Sequence, residues 1–270
     1  MDISLAQTVN QQELIQISKW WKDLGLAQEF KHARNQPLKW YTWSMASLSD
    51  PSMSEQRLEL TKSITFIYII DDIFDLYGTP EELTAFTRAV HMWDYEAFLC
   101  DTFLVEAKWF VAGHLPTSNE YLENGKVSSG VHVVLVHLFF LLEINKRTGG
   151  GVQVDDISVF ISSVDTILRL WDDFGSAKDE LQDGNDGSYI ECYVKENPRS
   201  TIEIAREHVL DIISSEWKLL NMECLHLNQN SASSSFKKAS LNIARLVPLM
   251  YSYDDYQQLP ILEESINSTL

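Results

Sequence analysis

Residues Ser52 to Thr79 read SMSEQRLELTKSITFIYIIDDIFDLYGT, and the spacing within this stretch decides the fold. Leu60, Ile64, Ile67 and Phe74 recur at the steps of an amphipathic helix. Ser52-x-x-Glu55 has the form of a capping box, and Gly78-Thr79-Pro80 closes the segment, so the spacing predicts a helix over 52–77. Asp71 and Asp75 fall on the same apolar stripe, one turn apart. A carboxylate on a core-facing stripe is costly unless it is paired or coordinates a metal. Two of them turned inward make a platform for a hard cation such as Mg²⁺. Asp72 lies off that line, placed to accept from an arginine or to reach a second metal.

A second segment repeats the pattern. Val164, Leu168, Asp172, Ser176 and Glu180 lie on one helical line at steps of four. The first two are apolar and the last three are oxygen ligands, which suits a second Mg²⁺ site across a cavity. An Asp-Asp pair near a helix end is common on solvated surfaces, where it opposes the helix dipole. Two such pairs that each prolong an apolar stripe argue against that bland reading.

Outward from these two stretches almost every segment has helical period. Helices are expected at Glu13–Leu24, Pro37–Leu48, Glu81–Trp93, Phe103–Val111, Ser118–Lys126, Val131–Ile144, Asp156–Lys178, Thr201–Leu220 and Phe236–Tyr251. Ser128-Ser129-Gly130 is a break between two of them. Strand-like alternation is nearly absent and no repeat occurs. Residues 228–235 read as a polar linker. The expectation is an all-α bundle forming one domain over 1–270.

Bulk properties narrow the function. With 45% of 270 residues apolar, a large core is possible. The net charge of −18 argues against nucleic acid or an anionic membrane as partner. An anionic substrate would need cations, which a divalent metal supplies. Cys100, Cys192 and Cys224 form no disulfide framework or zinc spacing. Val131–Leu142 is the longest apolar run and falls short of the roughly 20 residues that span a bilayer. The N-terminus has neither a signal-peptide nor a transit-peptide pattern, so a cytosolic location is expected, the alternative being the plastid if a lost N-terminus carried a transit peptide.

Three further residues stand near the clusters. Arg169, one turn before Asp172, can hold a diphosphate oxygen in a charge-assisted bond, or pair along its helix with Asp165 or Asp173. Arg34 can reach the same cavity, although from spacing alone it is an ordinary exposed arginine. Trp40, Tyr41 and Trp43 offer an aromatic wall, whose faces stabilise cations.

These residues match a known family. Ile69-Ile70-Asp71-Asp72-Ile73-Phe74-Asp75-Leu76-Tyr77-Gly78-Thr79 resembles the aspartate-rich motif of plant terpene synthases. The stretch from Arg169 through Trp171-Asp172-Asp173-Phe174-Gly175-Ser176 to Lys178-Asp179-Glu180 resembles their second metal motif, D-x-x-x-S-x-x-x-E. Phe103–Phe110 also looks like that family. Leu38-Lys39-Trp40-Tyr41, Asp183–Tyr189 and Pro248–Tyr253 resemble the linalool/nerolidol synthase branch.

The resemblance implies a class I isoprenoid-synthase fold. It implies Mg²⁺ at Asp71 and Asp75, with Asp72 in support, and further Mg²⁺ at Asp172, Ser176 and Glu180. Three ions are expected with substrate bound, and Mn²⁺ is a possible substitute. Arg34 and Arg169 would hold diphosphate, and Trp43 would line the cation pocket. The implied reaction is loss of diphosphate from geranyl or farnesyl diphosphate, then water capture to an acyclic alcohol, linalool or nerolidol. A monomer or weak homodimer is expected. The chain departs from the family at three places. The upstream Arg-x-Arg is Arg34-Asn35-Gln36 here. The family's N-terminal helical domain has no counterpart. A long helix is missing near Trp93–Cys100, which marks an internal deletion near 94–101. The alternative expectation is therefore a shortened, inactive member acting at most as a helical interaction protein.

Overall fold

The computed structural model describes residues 3–31, 33–91, 97–143, 154–176, 187–225 and 232–251. The described residues form twelve α-helices. In order these are α1 (Ile3–Leu24), α2 (Leu26–Glu29), α3 (Pro37–Ser47), α4 (Ser54–Leu76), α5 (Pro80–His91), α6 (Ala97–Ala112), α7 (Ser118–Ser128), α8 (Val131–Glu143), α9 (Ser158–Ser176), α10 (Tyr189–Glu196), α11 (Ile202–Leu225) and α12 (Ser234–Tyr251). There is no strand among them, so the all-α reading holds.

Local chemistry explains several boundaries. The expected capping box at Ser52 does not form. Asp50 instead caps a 3₁₀ turn, Pro51–Met53, its carboxylate accepting from the Ser52 amide at 2.9 Å, and α4 starts at Ser54. Asp50 is two residues from its donor and Pro51 presets the turn, so the nearer acceptor wins. A reciprocal capping box does form at Thr117 and Glu120, opening α7. Gly130, with φ of 72°, separates α7 from α8 as expected. Residues 118–142 are long and apolar enough together to cross a bilayer by length and composition. The left-handed break divides them, and α8 packs on α4, α9 and α12. Helix α10 was not foreseen. It has 8 residues, too few for a clear period, and depends on Ser188, whose side chain caps it.

Helix α9 is the hub of the bundle. α7, α8, α10, α11 and α12 all pack against it, and its Phe160, Val164, Ile167 and Leu170 are fully buried. Phe236 of α12 meets Phe139 and Phe160 edge-on, with centroids 5.7 and 5.6 Å away. Helix α4 is the second long support, contacting α1, α3, α6 and α8. The deletion expected near 94–101 falls partly outside the described residues. On its two sides α5 and α6 pack directly on each other.

A buried ion pair fixes the angle between α1, α3 and α4. Arg57, 2% exposed, donates from Nε and Nη2 to Glu13, 1% exposed, at 2.8 and 2.6 Å. Its Nη1 donates to the Leu48 carbonyl at 2.8 Å, and the Tyr41 hydroxyl donates to Glu13 at 2.9 Å. Burial alone would raise the Glu13 pKa, but the bonds from Arg57, Ser54 and Tyr41 hold it below the ordinary value. A depressed carboxyl pKa stabilises the fold above the unfolded value, roughly 4.3, and that part is lost as pH falls through the lower folded value. Arg57→Leu, which leaves Glu13 buried and unpaired, is expected to cost about 3–5 kcal/mol in urea denaturation at pH 7. A loss below about 1 kcal/mol would show that the pair does not set this corner.

Candidate active site

The C-terminal ends of α4 and α9 meet across a cavity of about 900 Å³, counting the space at its mouth. Asp71, Ile64, Ile67 and Tyr68 line it from α4, and Leu168, Arg169 and Asp172 from α9. Trp43 and Lys39 of α3, Phe103 of α6, and Ser128 and Ser129 at the end of α7 close the walls, with Tyr251 of α12. Both apolar stripes thus lead into one space, and a carboxylate follows each at the polar end.

Arg34 holds the first cluster. Its backbone amide donates to Asp72 Oδ2 at 2.7 Å and its Nε to Asp72 Oδ1 at 2.6 Å, while Nη2 bonds Asp71. Asp72 is buried, so the residue read as lying off the stripe is the one sealed in by arginine. The reason is that the chain segment carrying Arg34 covers the Asp72 side of α4. Burial raises the Asp71 pKa against the pull of Arg34. Asp75 lies outside the cavity lining and is exposed. Its pKa is still pushed up to about 7, by desolvation and then by the negative Asp71 one turn away.

The second cluster is held by Arg169. It faces the cavity, and its Nη2 bonds the Tyr121 hydroxyl. Nε lies 3.4 Å from Asp173 and Nη2 lies 3.7 Å from Glu106. Tyr121 donates to Asp173 at 2.7 Å, and the Tyr189 amide reaches the other Asp173 oxygen at 3.0 Å. The intrahelical pairing with Asp173 and the cavity-facing position therefore coexist. Asp173 is consumed by this network, which leaves Asp172 facing the cavity. Burial, opposed by Arg169 and reinforced by Asp173 and Asp71, pushes the Asp172 pKa up to about 7. Ser176 ends α9, but its side chain and all of Glu180 lie outside the described residues.

The aromatic wall differs from the expected one. Trp43 lines the cavity, and its Nε1 donates to the Tyr68 hydroxyl at 3.2 Å. Trp40 is instead sealed in the core, edge-on to Trp21 at 5.1 Å, and Tyr41 turns toward Glu13. Three residues on α3 cannot share one face, and only Trp43 points inward. Tyr68 and Tyr251 complete the wall, unnoticed in sequence. Tyr68 sits one turn before the helix position of Asp72, a signal that was legible. Arg34 stacks over the Tyr68 ring at 5.0 Å.

The donor set fits Mg²⁺. Among the described residues no three carboxylate, histidine or thiol groups gather into a nest. Mg²⁺ needs none, since one or two carboxylates with phosphate oxygens and waters complete its octahedron.

Comparison with known proteins settles the family. The profile of the "Terpene synthase family, metal binding domain" matches residues 22–98 and 96–219. The chain belongs to the terpene synthase family. It is 50% identical, over its whole length, to the probable terpene synthase 13 of Ricinus communis, of which it covers 54%. It is 48% identical to the (E)-nerolidol synthase TPS18VF of Cannabis sativa, covering 56% of it with all of this chain. Over 94% of this chain it is 48% identical to the chloroplastic S-(+)-linalool synthase of Arabidopsis thaliana, covering 52% of that protein. The terpene synthase chain thus spans about half the length of the curated relatives it matches. The isoprene synthase of grey poplar, solved with three Mg²⁺ ions and dimethylallyl-S-thiolodiphosphate, superposes with a TM-score of 0.86 at 26% identity. That match covers 98% of this chain and 59% of the poplar chain, and gives it the expected class I fold. The cytosolic location expected from Met1–Leu5 is overturned. The Arabidopsis relative and tricyclene synthases of Antirrhinum majus are named as chloroplastic. A chain spanning half of such proteins carries no compartment information at its first residues.

Gly125 of α7 offers a check on this geometry. A Cβ there would lie 2.9–3.0 Å from Nε, Cδ and Cγ of Arg169. Arg169 is clamped by Tyr121 and Asp173 and cannot retreat cheaply. Gly125→Ala is therefore expected to lower stability by about 1–2 kcal/mol, although alanine favours a helix by nearly 1 kcal/mol. Denaturant titration of a stabilised variant would contradict the clamp.

Proposed function

We propose that this chain ionises geranyl or farnesyl diphosphate with Mg²⁺ and yields an acyclic alcohol, linalool or nerolidol. One observation carries the reading: both acidic helix ends open on a single cavity whose deeper walls are apolar and aromatic. Asp71 and Asp75 would hold metal from one side, and Asp172, Ser176 and Glu180 from the other, with the diphosphate between them. Bound Mg²⁺ supplies charge neutralisation for the leaving diphosphate. Arg34 keeps Asp72 and turns its free guanidinium edge to the diphosphate when Asp71 is released. Arg169 faces the same oxygens while Asp173 and Tyr121 hold its orientation. The allylic C–O bond breaks with its electron pair leaving on diphosphate, and the cation lies against Trp43, Tyr68 and Tyr251. Water adds at the tertiary carbon and loses a proton. The names of the Arabidopsis and Cannabis relatives support linalool or nerolidol. The compartment proposed from the chloroplastic relatives is the plastid.

A specific observation favours a second reading, a shortened member that folds without turnover. The family profile matches in two pieces that meet at 96–98. The alignment with the Ricinus protein runs over 313 positions, although the chain has 270 residues. Helix α6, just after that junction, exposes Phe98, Phe110 and Val111 at 76%, 89% and 66%. A missing wall helix accounts for all three and would admit water to the cavity.

Incubation of purified protein with Mg²⁺ and each prenyl diphosphate, followed by gas chromatography, separates the two. The first reading expects linalool from geranyl or nerolidol from farnesyl diphosphate, abolished in Asp71→Ala. Folded protein with no product above a metal-free control leaves the second reading standing.

A further inference from the structure

Among the described residues three cations line the cavity, and two are already engaged. Arg34 is bonded to Asp71 and Asp72, and Arg169 to Tyr121 beside Asp173 and Glu106. The third is Lys39 on α3, one turn before Trp43. Among the described residues it makes no hydrogen bond and no ion pair; its ammonium lies 5.7 Å from the centre of the Tyr68 ring. Tyr68 is itself fixed from below by the Trp43 indole. Lys39 is therefore held in the cavity by a ring face and not by a counter-ion.

The charges that face it are few. Arg34 repels it, and Asp172 and Asp71 attract it from the two helix ends without contact. Burial is the larger influence and lowers its pKa. A half-buried ammonium without a contact partner is costly, and an arriving anion removes that cost. Of the species that the proposed reaction brings into the cavity, Mg²⁺ and the allylic cation repel an ammonium, and the hydrocarbon chain gains nothing from it. Only the diphosphate is complementary.

We propose that Lys39 is a diphosphate-binding residue, its ammonium donating to the diphosphate from the α3 wall, opposite the metal carboxylates. The inference rests on the reading of the cavity as a prenyl-diphosphate site. It also gives a role to a position where sequence showed only the departure Arg34-Asn35-Gln36. With a single arginine upstream, Lys39 lies one helical turn beyond Gln36 and brings a second cation to the same wall. An anchor at this place would keep the released diphosphate beside the α3 face while the cation reacts.

Calorimetric titration of inorganic diphosphate into the full chain with excess Mg²⁺ tests this without turnover. Lys39→Met is expected to bind about 10- to 100-fold more weakly, the loss of one charge-assisted bond. Lys39→Arg is expected to stay within a few-fold of the parent protein. Circular dichroism and thermal melting of each variant check the fold, and Lys39→Gln replaces Lys39→Met if the latter does not fold. Equal binding by Lys39→Met and the parent overturns the inference and leaves the cavity's reading intact. Equal losses in Lys39→Met and Lys39→Arg, both folded, also overturn it, because charge is then not what matters. Failure of the parent protein to bind diphosphate with Mg²⁺ takes down both the inference and the reading beneath it.

Discussion

Two long helices end in carboxylates, where their own backbone dipoles are already negative. That constraint organises the rest of the site. Asp71 and Asp72 close α4, Asp172 and Asp173 close α9, and each pair would be repelled by its helix and by its neighbour. Each end is stabilised in the same way. One carboxylate of each pair, Asp72 or Asp173, is buried against an arginine, while the other lines the cavity: Asp172, and Asp71 with its own bond to Arg34. The buried partner orients the arginine, and the cavity-lining partner keeps oxygens turned to the space between the helices. Burial raises the pKa of both Asp71 and Asp172 against the pull of Arg34 and Arg169.

The bundle exists to bring these ends together. α9 is gripped on several sides, and α4 is held at its start by Arg57 and Glu13 and along its length by α3 and α8. The buried Arg57–Glu13 pair lies at the start of α4, while Asp75 near its end is exposed. Such a division would let the acidic ends respond to a ligand while the core stays fixed. The cavity wall changes character along its depth, polar at the helix ends and aromatic at Trp43, Tyr68 and Tyr251. A substrate with a charged head and a hydrocarbon tail matches that gradient.

Much of this was legible from spacing alone. The periodic helices and the break at Gly130 read correctly because each is set by local sequence, and of the two acidic stripes Asp71 and Asp172 line the cavity while Asp75 does not. What was not legible depended on contacts between distant segments. Arg34 looked like a surface residue because its partners, Asp71 and Asp72, lie 37 and 38 positions away. Lys39 entered only as part of a stretch resembling the family, because a lone lysine on a helix is usually solvated, and the placement of α3 over Tyr68 shows otherwise. Trp40 and Tyr41 were grouped with Trp43 because aromatic content does not reveal which face α1 covers. Residues 177–186, which include Glu180, lie beyond the described structure, so half of the second motif rests on its pattern.

On the proposed function the ends of α4 and α9 serve one ligand. A double-substitution cycle on Mg²⁺-dependent diphosphate binding, using Asp71→Asn, Asp172→Asn and the pair, tests it most directly. Each single change is expected to remove nearly all binding, and the pair to remove no more. Independent, additive losses would contradict it, because they would place the two acidic ends at separate sites.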